Sequence, residues 1–109
     1  MIKVMMDNEA YPLWNIDGEN YNCISETGIV YDESLEEDIN LYQILWARFE
    51  EEINHGDRVI CEPVDRLAEN IALHIKRLNR NENVIYYDET SDRWWEIDAD
   101  NKGASLYEG

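Results

Sequence analysis

Between Val4 and Ala47 the chain has no lysine and no arginine. That absence excludes a phosphate-binding face from this stretch, because neutralising a nucleic-acid backbone takes cations. Over the whole chain, nine Lys and Arg stand against 25 Asp and Glu, a net charge of −16. Such a surface repels other anions, so neither direct nucleic-acid binding nor attachment to an anionic membrane is expected. What it attracts is a basic protein, or divalent cations. Long apolar runs are also missing. No segment approaches the ~20 apolar residues of a membrane span. Met1–Asp7 offers one basic residue and no apolar stretch of signal-peptide length. A cytoplasmic protein is therefore expected.

Cysteine is scarce. Cys23 and Cys61 lie far apart and match no metal or redox spacing, which predicts two reduced, buried thiols. Glycine-rich phosphate loops, internal repeats and low-complexity segments are absent. There is one Phe, but four Trp and seven Tyr bring the chain to 44% hydrophobic. That is too apolar for disorder, and 109 residues suit one domain with one modest core.

Catalytic groups are thin. His55 falls at the end of a predicted helix, where it caps, and His74 lies beside the apolar face of another; both places are structural. Nucleophilic catalysis needs a base oriented by a third group, and no such arrangement stands out around Cys23, Cys61 or the serines. Asp98-Ala99-Asp100-Asn101-Lys102-Gly103 resembles the start of a calcium loop. However, Lys102 stands where an oxygen ligand belongs, and Gly109 where a bidentate Glu is required. No catalytic residue, metal or cofactor is assigned, and a binding protein rather than an enzyme is expected.

The periodicity gives two helices. Leu35, Ile39, Tyr42, Leu45, Trp46, Phe49 and Ile53 recur at three- and four-residue spacing, which predicts a helix over 35–55. Ser34 with Glu37 reads as its capping box and Gly56 as its left-handed end. A second helix is predicted over 63–79, with Pro63 preset for the first turn and Asp65 favourable there. Val64, Leu67, Ile71, Ile75 and Leu78 form its buried face, and Lys76, Arg77 and Arg80 gather at its end.

Strands are predicted at Ile2–Met6, at Tyr11–Ile16 as an edge because of Pro12, and at 83–87 and 93–97 around an Asp88–Asp92 turn. Shorter ones are predicted at Tyr21–Ile24 and Gly28–Tyr31, after a turn at Gly18. The sum is an α+β fold: two amphipathic helices packed on one face of a small antiparallel sheet, the other face free for a partner. Residues 1–98 read as a single acidic domain and 99–109 as a flexible C-terminal tail.

The acid is concentrated. Asp7, Glu9, Asp17, Glu19, Glu26, Asp32, Glu33, Glu36, Glu37 and Asp38 all fall in the cation-free stretch. A field of one sign steers a partner of the other. Aromatics lie among these acids, and Tyr and Trp are enriched at interface hot spots. Trp14, flanked by Leu13 and Ile16, reads as core, and Tyr21, among Asn and Glu, as an exposed contact. Glu50-Glu51-Glu52 reads as a solvated helix face. The expected partner-binding set is Asp17, Glu19, Tyr21, Glu26, Tyr31, Asp32, Glu33, Glu36 and Glu37, with Asp88 and Asp92 as a second contact.

Tyr11-Pro12-Leu13-Trp14, then Gly18, then a helix with Leu35, Leu45, Trp46 and Phe49, resembles the opening of small bacterial immunity proteins. These are encoded with polymorphic toxins, including those of contact-dependent growth inhibition. The resemblance covers about the first half of the chain. It implies a monomer in a 1:1 complex with a basic cognate toxin, a nuclease whose active-site cleft the carboxylates occlude in place of substrate phosphates. The alternative on the same charge is a phage-type nucleic-acid mimic that blocks a restriction or CRISPR nuclease.

Overall fold

Ile2 and Val4 are buried and Lys3 between them is half-exposed, the alternation of a strand with one covered face. The computed structural model describes residues 1–54 and 61–108. Its elements are β1 (Ile2–Val4), β2 (Leu13–Trp14), a 3₁₀ turn (Ile24–Thr27), α1 (Glu33–Asn54), α2 (Glu62–Leu78), β3 (Val84–Asp88), β4 (Arg93–Ile97) and β5 (Ala104–Leu106). The fold is α+β: two helices against one sheet of order β2-β1-β3-β4-β5.

The sheet is mixed rather than wholly antiparallel. Ile2 lies opposite Val84 and Val4 opposite Tyr86 in a parallel pair, while the other three pairings are antiparallel. Parallel neighbours need a long crossover, and the chain supplies one by running through both helices before β3. α2 packs against β1, β3 and β4, and α1 packs on α2. Val64, Ala68, Ile71, Ala72 and Ile75 form the continuous buried stripe of α2. Leu35, Ile39, Tyr42 and Phe49 bring α1 into the same core.

α1 begins at Glu33 because Asp32, not Ser34, caps it. The Leu35 N–H donates to Asp32 Oδ1 at 2.9 Å, which satisfies one orphan donor of the first turn. Ser34 lies inside the helix, so the Ser34–Glu37 capping box does not form. Gly56 and His55, and the Ile53 side chain, lie outside the described residues. The short strands expected at Tyr21–Ile24 and Gly28–Tyr31 are replaced by irregular chain around the 3₁₀ turn. Thr27 Oγ1 donates to the Ile24 carbonyl at 2.7 Å and accepts the Ile29 N–H at 3.2 Å. Such local bonds compete with a sheet ladder, and Gly28 takes a φ of 77°.

The segment after Ile97 is not a tail. Asp98 donates its N–H to the Gly103 carbonyl at 2.9 Å and accepts the Ser105 hydroxyl at 2.7 Å, and this turn returns the chain as β5 beside β4. The thiols are not buried either. Cys23 falls in the exposed loop before the 3₁₀ turn, and Cys61 is half-buried just ahead of α2. Trp14 pairs with Lys3 and so belongs to the sheet face away from the helices, not to the core. Its indole N–H donates to the Met5 carbonyl at 2.8 Å. On the same face the Lys3 ammonium lies 5.7 Å from the Trp94 ring, and Tyr87 meets Trp94 edge-on.

Candidate functional site

The strand register decides where the acids go. The turn carrying Asp17 and Glu19 extends from the end of the sheet where β1 and β3 start. Asn15 Oδ1 accepts both their N–H groups at 2.9 Å, and Gly18 takes the positive φ the turn needs. The entry to α1 is at that end too. Asn79, after α2 and ahead of β3, bonds both backbone groups of Val30, at 2.7 and 2.8 Å. Asp32, Glu33, Glu36 and Glu37 therefore gather there, where a helix N-terminus favours anions. Asp88 and Asp92 are at the opposite end of the sheet, in the β3–β4 hairpin. The expected set thus falls in two patches, with Asp88 and Asp92 at the far end of the sheet from the others.

The bonding of each side chain sorts the set further. Asp32 is committed to structure. Besides capping α1 it lies 3.1 Å from Nε2 of His74, whose other ring nitrogen is 4.0 Å from Asp38. The Leu35 N–H, and after it His74, hold the Asp32 carboxyl below its ordinary range. Asp88 accepts the Ser91 N–H and hydroxyl at 2.9 and 2.6 Å, Asp92 accepts the Tyr87 hydroxyl, and Glu26 accepts the Asn22 N–H at 2.7 Å. Tyr21 is half-buried against the core rather than an exposed contact. Asp17, Glu19, Glu33, Glu36 and Glu37 are exposed, and among the described residues no hydrogen bond or ion pair holds their carboxylates.

Tyr31 and Glu36 meet where the 3₁₀ turn faces α1. They share a cavity of about 340 Å³ with Tyr11, Cys23, Ile24, Ser25 and Asn40. The Tyr11 hydroxyl is pushed up to about 12, first by burial and then by Cys23, with Glu36 and Tyr31 adding to it.

The far patch holds acids that the sequence did not single out as a site. A cavity of about 440 Å³ is lined by Glu62, Asp65, Arg66, Glu69, Asp88 and Thr90. Asp65 is buried and ties the hairpin to α2. It accepts the Glu89 and Thr90 N–H groups at 2.6 and 3.2 Å and the Thr90 hydroxyl at 2.5 Å. Read along the chain, Asp65 is a first-turn acid favoured by the helix dipole; its partners 24 and 25 residues later come only with the fold.

Glu89 is pushed up to about 7, mainly by burial and then by Asp65 and Asp88. Below its ordinary value near 4.5 it is protonated whether the chain is folded or not, and costs nothing. As the pH rises from there to about 7, the unfolded chain gives up this proton first, so folding weakens across that window and levels off above it. Glu89→Gln removes the effect. Allowing for solvent screening of a half-exposed group, the variant is expected to be about 1–2 kcal/mol more stable than the parent above pH 7, and no more stable below pH 4.5. Urea unfolding at pH 4 and pH 8 checks this; a difference that does not vary with pH refutes it.

Among the described residues, no group of three or more His, Cys, Asp or Glu side chains is placed to hold a metal ion, and no helix is long and apolar enough to cross a membrane. Compared with known proteins, the chain matches no family model, no curated protein and no solved structure.

Proposed function

We propose that this protein is a non-catalytic inhibitor that binds a basic protein partner through the acidic end formed by the Asp17–Glu19 turn and the first turns of α1. One observation carries the reading. Of the ten acids between Asp7 and Asp38, nine are exposed and Asp38 is half-buried. Among the described residues no Lys or Arg forms an ion pair with any of them. The few cations are partly withdrawn as well: Lys76 is buried, with its ammonium donating to the Glu82 carbonyl at 2.7 Å. The remaining field is dominated by carboxylates, with the exposed Arg77, close enough to Asp32 to help lower its carboxyl, as a counter-charge at this end. Its negative excess accelerates encounter with a positive cleft.

The partner this fits best is the nuclease domain of a cognate toxin, which makes the protein an immunity protein. A cleft built to hold a phosphate backbone is lined with Lys and Arg, and exposed carboxylates on a rigid helix start take the places of the phosphates. The segment that resembles immunity proteins, Tyr11–Gly18, forms β2 and the acidic turn itself. The test is capture from the native host on the immobilised protein, elution with rising salt, and a nuclease assay on what elutes. One basic toxin domain, released at high salt and inhibited when the protein is added back, is the expected result. A restriction or CRISPR nuclease in its place favours nucleic-acid mimicry. No salt-sensitive partner refutes charge-driven inhibition.

A further inference from the structure

We infer that the cavity between Tyr11, Tyr31 and Glu36 is a receptor for a single arginine side chain presented by the partner. This rests on the basic-partner reading and names the group that partner inserts. Glu36 and Asn40 lie one turn apart on α1 and so project from the same side of the helix. Tyr31 comes in from the chain just ahead of the Asp32 cap, and Tyr11 from the chain entering β2. Ser25 and Cys23, their Oγ and Sγ 3.0 Å apart, close the remaining side. Beside the apolar Ile24 and the Cys23 thiol, the lining offers what a flat cation needs: a carboxylate, an amide oxygen, hydroxyl oxygens and two tyrosine rings. Among the described residues, no Lys or Arg lines the cavity to compete. Glu36 supplies the one carboxylate of the lining.

Arginine fits this chemistry better than lysine. A guanidinium stacks on an aromatic ring while its edge donates to a carboxylate in two parallel bonds, with a further N–H left for an acceptor such as the Asn40 carbonyl. An ammonium is a compact charge that keeps its water more tightly and makes no paired contact. Glu33 and Glu37 precede Glu36 and Asn40 by three residues on α1, so their charge acts on the same group as it approaches.

The probes are three capped tripeptides, Gly-X-Gly, with arginine, lysine or citrulline at the centre, titrated into the full chain and followed by amide chemical shifts in NMR. Citrulline keeps the shape of arginine without its charge. The arginine peptide is expected to shift Tyr11, Ser25, Tyr31 and Glu36 saturably, with lysine about threefold weaker or worse and citrulline without saturation. Glu36→Gln is expected to weaken arginine binding about tenfold, and Tyr31→Ala several-fold, with resonances away from the cavity unchanged in both variants.

Equal binding of arginine and citrulline, equal or tighter binding of lysine, or an indifferent Glu36→Gln would overturn the assignment. The peptides contain no partner, so the two ideas fail separately. Salt-sensitive capture without arginine selectivity removes the receptor and leaves the acidic surface. Arginine selectivity without capture does the reverse.

Discussion

Ile71→Ala is expected to lower the unfolding free energy by about 3 kcal/mol and the Tm by about 12–20 °C. Ile71 is completely buried in α2, which packs against both α1 and the sheet. Removing its outer atoms forfeits their transfer free energy and leaves a cavity, whose added cost depends on whether neighbours can move in. Here the near neighbours on the buried stripe are Ala68 and Ala72, which have no length to lend. Ile75, one turn on, is fully buried against its own contacts. The loss is large for this chain because excess negative charge already opposes the compact state. Urea unfolding in moderate salt, where that repulsion is screened, gives the cleanest value. A loss below about 1 kcal/mol would mean that the site collapses, and that α2 is not tightly packed against α1 and the sheet.

How far the sequence could be read depends on which physics set each element. α2 was legible almost to the residue, since Pro63, the apolar stripe and the basic end are all local signals. The span of α1 was legible from its stripe, but its cap was not. Ser34 and Asp32 are both good capping residues, and Asp32, which takes the cap, is also bonded by His74, 42 residues away in sequence. β5 was missed because Ala104–Leu106 is too short to show alternation; what makes it a strand is the turn at Asp98 and the open edge of β4. The parallel pairing of β1 with β3 was invisible for the same reason, because register is a long-range property.

The candidate surface divides along the same line. Composition exposed the cation-free stretch at once, and with it Glu33, Glu36 and Glu37. It could not reveal that Asp32 is held by His74, or that Asp88 and Asp92 are at the other end of the sheet. Nor could it bring Tyr11 and Asn40 to Tyr31 and Glu36. Tyr11 is 20 residues before Tyr31, and only the reversal through β2 and the 3₁₀ turn closes that gap.

Neutralising Asp17, Glu19, Glu33 and Glu37 together, as Asn or Gln, is expected to slow association with the basic partner about 10- to 100-fold at low salt. These four are exposed carboxylates without a partner among the described residues, so their loss takes no bond from the fold. Asn15 grips the backbone N–H groups of Asp17 and Glu19, not their side chains, so the turn keeps its shape. Asp32 must stay, because its replacement would confuse a lost cap with a lost contact.

The net charge goes from −16 to −12 by removing four negative charges, as it does in a control that neutralises Glu50, Glu52, Asp100 and Glu108. If only the total mattered, the two variants would slow association equally. If placement matters, as steering into a cleft demands, the control should stay within about threefold of the parent. The gap in association rate between the variants should close as salt shortens the reach of the field. Stopped-flow association at two salt concentrations reads all of this. Equal slowing by both variants, or a slowing that high salt does not relieve, would show that the acidic end is not where the partner arrives.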